Sequence, residues 1–276
     1  MVLGRVERIL ILAKTYPSPS AQYVETSCVA GITEHGSMRR IYPVPFRMIE
    51  TGRQFKKWQW IQVRVEKAPK DHRPESHRIY VDTINCQDVI RSNRGWGDRW
   101  QWLDKIPSFG SIGQLDAARL SARVSLGLVC PKVVSALEIV KARNRDWTDE
   151  EREKLVREQV QGELFSEADA RQDVKTLRKI PFDFYYRFRC DIRGGEKEER
   201  GKIVDWEVGA LYWNCRRSHG EAWEQPFRAK LEGQLMGREL MFLVGNQHRF
   251  QDQWLIVSLM YPPTRKPVES PQGLLF

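Results

Sequence analysis

Apolar residues come in short dense runs along the first part of this chain, separated by turn residues. Residues 6–13 hold an Ile- and Leu-rich run that predicts a strand buried on both faces. A loop over 15–21 with two prolines ends it. Residues 23–33 predict a second strand followed by the turn Glu34-His35-Gly36, and residues 38–44 a third, which Pro43 and Pro45 mark as an edge. In residues 55–65, Phe55, Trp58, Trp60, Ile61, Val63 and Val65 are set among Lys56, Lys57, Gln59, Gln62 and Arg64, the pattern of a long half-exposed strand. Residues 77–84 supply a fifth. Five short strands within about 85 residues predict a small closed barrel or sandwich.

The period changes at Trp96. Trp96, Trp100 and Leu103 share one helical face, and the stretch SIGQLDAARLSAR continues as a second helical piece, so these two helices are expected to plug or bridge the barrel. Strand character returns over 126–130 and 133–140. Thr148-Asp149-Glu150-Glu151 is a capping box that opens a charged helix to about residue 161, and 162–179 is a polar connection. Residues 183–192 predict a strand, and the Gly194-Gly195 pair with the alternating charges after it predicts a solvated turn. Asp205 opens a helix closed by Gly220, with Val208, Leu211, Tyr212, Cys215 and His219 on its buried face. A further helix spans 225–237, with Phe227, Leu231 and Leu235 in a row. Apolar runs at 239–244 and 254–260 form a buried hairpin, and Pro262-Pro263 ends the fold ahead of a tail. The chain divides into two units, residues 1–125 and 126–276.

Charge adds a direction to this picture. The 276 residues carry a net charge of +9, and residues 1–110 hold 18 Lys and Arg against 11 Asp and Glu, so the basic excess belongs mainly to the first half. Such a balance favours an anionic partner, nucleic acid above all. The five cysteines are widely spaced and form no CxxC pair, which argues for a reducing compartment. No stretch approaches the roughly 20 apolar residues of a spanning helix, and no signal peptide is recognisable, so a cytoplasmic protein without a membrane partner is expected.

The strongest candidate site lies between Met38 and Arg64. Arg39, Arg40, Arg47, Lys56, Lys57 and Arg64 stand near Tyr42, Trp58 and Trp60, so phosphates could pair with cations while bases stack on rings. The competing reading turns Trp58 and Trp60 inward and leaves the lysines to solubilise an edge strand. Cys215 and His219 have zinc-ligand spacing, but a second pair is missing, and no metal or cofactor is expected. Asp205 and Glu207 are better explained as helix-start residues, and no histidine is placed as a base, so no catalytic residue is assigned. The loop His248-Arg249-Phe250 reads as a surface hairpin tip.

Three stretches together resemble the dual OB-containing domain family of bacterial proteins found in mobile-element and genome-defence neighbourhoods. They are ILAKTYPSPSAQYVETSCVAGI with RRIYPVPFR and KKWQWIQV; YYRFRCDI with DWEVGALYWNC; and MFLVGN, HRF and DQWLIVSLMYPP. The resemblance implies two OB-type barrels and a nucleic-acid-binding role. Family members carry a further Cys and His after the RCD segment, where this chain has GGEKEERG. The expectation is an α+β protein of two OB-like antiparallel β-barrel units with helical insertions. It would bind single-stranded or locally opened DNA or RNA without catalysis, in a defence or mobile-element setting. Two alternatives stand beside it: a scaffold or sensor subunit contacting other subunits of a defence complex, and a metal-dependent nuclease built from Asp183, Asp205 and Glu207.

Overall fold

A strand can be apolar throughout only when both of its faces are covered. The first strand, β1 (Arg5–Lys14), meets that condition, with Ile9, Leu10, Ile11 and Leu12 all buried. The computed structural model describes residues 4–17, 27–46, 49–150, 153 and 179–263. The expected strand residues 23–26, most of the helix after Thr148, nearly all of the 162–179 connection and the tail from 264 lie outside the described residues. Next come β2 (Ser27–Thr33), β3 (Met38–Val44), β4 (Gln59–Lys67) and β5 (Ser76–Ile79). β1 pairs antiparallel with β2 through its later residues and with β4 through its earlier ones, while β3 runs parallel to β5, which returns to β4. These five strands close into a barrel, and β6 (Asn85–Val89) adds to β4 outside it. Ile9, Ile11, Val29, Ile41, Ile61, Val63 and Val65 fill the interior.

A second sheet orders its strands β7 (Ser108–Phe109), β8 (Leu126–Val129), β12 (Met241–Asn246), β13 (Trp254–Met260), β11 (Gly195–Ile203), β10 (Phe182–Ile192) and β9 (Val133–Lys141). From β9 to β12 it repeats the neighbour pattern of the barrel, including one parallel pair, β11 with β13. The repeat stops there, because β12 takes β8 as its other neighbour and does not return to β9. The second unit is therefore an open sheet, which corrects the expectation of two closed barrels. Its helix-facing side is covered by α3 (Trp206–His219) and α4 (Glu224–Arg228), with the π-helical turns Ala229–Met236 that continue α4. Tyr212, Phe227, Leu231 and Leu235 pack there against Phe184, Tyr186 and Phe242.

The other side of β8, β12 and β13 packs on the barrel. Leu10 and Leu12 of β1 share one apolar cluster with Leu126, Leu128, Met241, Leu243, Val257 and Met260. Trp58 and Trp60 join it beneath α1 (Asn93–Leu103), so β4 is covered at its start where a half-exposed strand was expected. α2 (Ile112–Ala122) packs on the second sheet through Leu115, and β7 and α2 thus join the later unit.

The charged stretch after Gly194 is a strand and not a solvated turn. β11 pairs with β10 along its whole length, and its charges find opposite charges diagonally on β10 and on β9, which offsets the like-charged neighbours Arg187 and Arg200 directly across the ladder. Glu138 of β9 pairs with Arg187 and Arg200, Glu196 with Arg189 and Lys132, and Asp183 with Lys202. Glu199 points the other way, and its carboxylate accepts the main-chain amides of Ile112 and Gly113 at the start of α2, at 2.8 and 3.3 Å.

As expected, Asp205 caps α3, accepting the Glu207 amide at 2.7 Å. Val208, Tyr212 and Cys215 are buried, but His219 is exposed, because Gly209 and not the last turn completes the buried face. There the ring of Tyr16 lies against the helix, and its hydroxyl accepts the Trp213 indole N–H at 2.7 Å. A Cβ at Gly209 would stand 2.2 Å from the Tyr16 Cδ2. Alanine in mid-helix ordinarily stabilises by about 1 kcal/mol over glycine, whereas overpacking costs about 1–3 kcal/mol. The ring carbons struck are near the main chain and cannot swing clear, so the clash wins. Gly209→Ala is expected to lower the unfolding free energy measured in urea by about 1–2 kcal/mol; a stabilised variant would refute this packing.

Candidate functional site

The barrel residues expected to form one basic and aromatic surface are dispersed by the fold. Arg39 makes a two-point pair with Glu7, at 2.7 and 3.0 Å, and its side chain is 12% exposed. Arg40 is buried, donating to the Ser125 carbonyl at 2.6 Å. Trp58 packs edge-on against Trp96 and Trp60 against Trp102, so both indoles are covered, as the competing reading held. Trp58 is held at φ 65°, a strained conformation for a bulky residue, and the aromatic cluster around it keeps it there. Arg64 lies over the Tyr80 ring at 4.0 Å. Lys57 donates to the Leu259 carbonyl at 2.8 Å. Lys56 is exposed but faces a different cavity, and Arg47 lies outside the described residues. Tyr42 alone keeps a broadly exposed ring, at 45%.

What the fold does bring together is a groove of about 850 Å³ between the barrel and the second sheet. Its barrel wall consists of Tyr42, Pro43, His77 and Arg78 from β3 and β5 with Lys70 from the loop between β4 and β5. The opposite wall is Lys202 and the β12–β13 hairpin tip from Gly245 to Phe250, whose Phe250 ring is 55% exposed. Arg40 and Arg73 line the floor. Among the described residues, the cations of this lining outnumber its single carboxylate, Asp71. Among the described residues, Lys70, Arg78 and Arg249 have no carboxylate within ion-pair distance.

The walls are held by a polar seam. Arg73 donates to the Asn246 carbonyl at 2.7 Å and to its side-chain oxygen at 3.1 Å, tying the β4–β5 loop to the hairpin. Glu75 accepts from the Ser125 hydroxyl at 2.8 Å, and Arg123 donates to the His72 carbonyl at 3.1 Å. Lys67 gathers the carbonyls of Arg73, Pro74 and Ser76, so the loop has a fixed shape. Asp71 receives Arg73 through Nε and Nη2 as well as the Arg73 amide. Burial raises the Asp71 pKa, but these bonds outweigh it and hold the carboxyl well below the usual range. No residue of 70–78 stands among the sequence-predicted site residues; the signal available was KDHRPESHR, a basic turn leading into the fifth strand.

The acidic set considered for hydrolysis does not converge. Asp183 pairs with Lys202, and Asp205 is buried with its second oxygen on the Leu259 amide at 2.8 Å. Burial pushes the Asp205 carboxyl up. Among the described residues no group of His, Cys, Asp and Glu is placed to hold a metal ion; Cys215 is buried while His219 points to solvent. Nor, among them, is any helix long and apolar enough to cross a membrane.

Because the Asp71 pKa is depressed by folding, its stabilising contribution is present above the ordinary carboxylate value and is lost as pH falls through the lower, folded one. Asp71→Asn is therefore expected to cost about 2 kcal/mol near neutral pH. The difference from the wild type should narrow in urea titrations at about pH 3. An equal difference at both pH values would show that the ion pair contributes nothing.

Two family matches divide the chain at the junction between barrel and sheet. Residues 5–105 match the family described as Domain of unknown function (DUF8758), and residues 107–276 match that described as Domain of unknown function (DUF8757). No curated protein matches the chain.

Proposed function

The chain belongs to the family described as Domain of unknown function (DUF8757), a description that carries no activity, and we propose from the groove that it is a nucleic-acid-binding protein. The single observation behind this reading is a basic groove with exposed rings on opposite walls, Tyr42 and Phe250. It runs along β3 and the β4–β5 loop of a closed five-strand barrel. In OB-fold barrels, the face of the second and third strands and the loop between the fourth and fifth bind oligonucleotides, and the strand order here supports that assignment. Unpaired bases have free faces for Tyr42 and Phe250, while Lys70, Arg78 and Arg249 meet phosphates. The preferred ligand is single-stranded or locally opened DNA or RNA. A defence or mobile-element setting rests on the sequence resemblance alone.

Anisotropy titrations of labelled single- and double-stranded oligonucleotides at low and high salt test the proposal. Wild-type binding should weaken steeply with salt and favour single strands. The pair Tyr42→Ala and Phe250→Ala should lose about tenfold or more, since each stacked base contributes about 1–3 kcal/mol. Lys70→Gln and Arg249→Gln should each reduce the salt slope by about one. Absence of binding at low salt, or a Tyr42/Phe250 variant that binds as well as the wild type, would overturn the assignment.

A further inference from the structure

A second cavity, of about 460 Å³, lies between the barrel and the helices of the second unit, on a different set of residues from the groove. Lys14, Lys56 and Lys57 line its barrel side, and Leu211, Leu231 and Leu235 line the side made by α3 and the turns after α4. Lys14, the last residue of β1, carries the argument. Its ammonium sits 3.5 Å from the Phe46 ring centre and 4.7 Å from that of Trp206, and it donates to the Phe55 carbonyl at 3.1 Å. Among the described residues no carboxylate stands within ion-pair distance of it.

The two acids of the lining among the described residues, Asp205 and Glu207, are otherwise engaged. Asp205 gives both oxygens to main-chain amides, and Glu207 stands 3.4 Å from Lys57. Lys14 is thus a largely buried cation with ring faces around it and, among the described residues, no carboxylate in contact with it. Burial lowers its pKa to about 8, against the pull of Glu207 and Asp205. Such a charge is costly to bury alone, and an anion brought to it would relieve that cost. Lys56, exposed at the rim, adds a second ammonium without a carboxylate partner among the described residues. The rest of the lining is mainly apolar, and the volume lies in the range of small-molecule sites.

We propose that this cavity binds a small organic anion with an apolar body, of the aliphatic carboxylate class. The headgroup meets Lys14 and Lys56, and the body lies on Leu211, Leu231 and Leu235. The site does not depend on the nucleic-acid reading and shares no residue with the groove.

Isothermal titration calorimetry with octanoate, 1-octanol and acetate tests it. Octanoate should bind at one site per chain. Octanol, which lacks the charge, and acetate, which lacks the body, should each bind at least about tenfold more weakly. Lys14→Met should fold at least as well as the wild type, because it removes a buried ammonium, and should reduce octanoate affinity about tenfold or more. Lys56→Gln, an exposed change that leaves the packing untouched, should weaken octanoate a few-fold. Equal affinities for octanoate and octanol, no saturable octanoate binding at millimolar concentration, or wild-type affinity in Lys14→Met would overturn the proposal.

Discussion

The apolar contact between the outer face of the barrel and one face of the second sheet is the constraint on which the rest of this structure depends. Leu10 and Leu12 on one side meet Leu126, Leu128, Met241, Leu243, Val257 and Met260 on the other. Each such side chain contributes about 1.5–3 kcal/mol when fully buried. Separation would expose them all, so barrel and sheet are joined as tightly as a single core. This contact fixes the angle at which the β12–β13 hairpin tip faces β3 and β5, and the groove is the space left at its edge. Neither unit contains the groove alone.

Polar groups refine what the apolar contact sets. Arg40 and Arg73 reach from the barrel to Ser125 and Asn246, where hydrophobic packing alone would tolerate sliding. A buried guanidinium is stable only when carbonyl and hydroxyl oxygens receive it in defined directions, so these bonds select one register. Arg40, which looks from the sequence like a ligand contact, is thereby committed to architecture together with Arg73. The cations left for a ligand come from the loop and strand edge that those arginines hold in place.

The same competition between local pattern and partner explains β11. GEKEERGKI has no apolar alternation and reads as a turn, yet Glu138 of β9 and Arg187 and Arg189 of β10 stand within diagonal reach of its charges, and the strand forms with ion pairs to them. Trp58 and Trp60 show the converse. The alternation identified the strand from Gln59 on, while Trp58 stands in the turn before it; period-two spacing says only that two faces differ, and α1 covers the face that could otherwise have been exposed.

By itself, the sequence determined the strand run of the barrel, the doubly buried β1, the helix capped at Asp205 and the row Phe227, Leu231 and Leu235. Each of these rests on spacing and capping within a few residues, which are local properties. It also carried the basic excess of the first half, though not its placement. The tertiary structure alone decided that the second unit stays open, that Arg39, Arg40, Trp58 and Trp60 are withdrawn into pairs and packing, and that Tyr42 meets Phe250 across a groove. Those outcomes depend on which surfaces meet across long stretches of chain. Burial of a side chain is settled by its distant neighbours, and no pattern confined to its own strand records them.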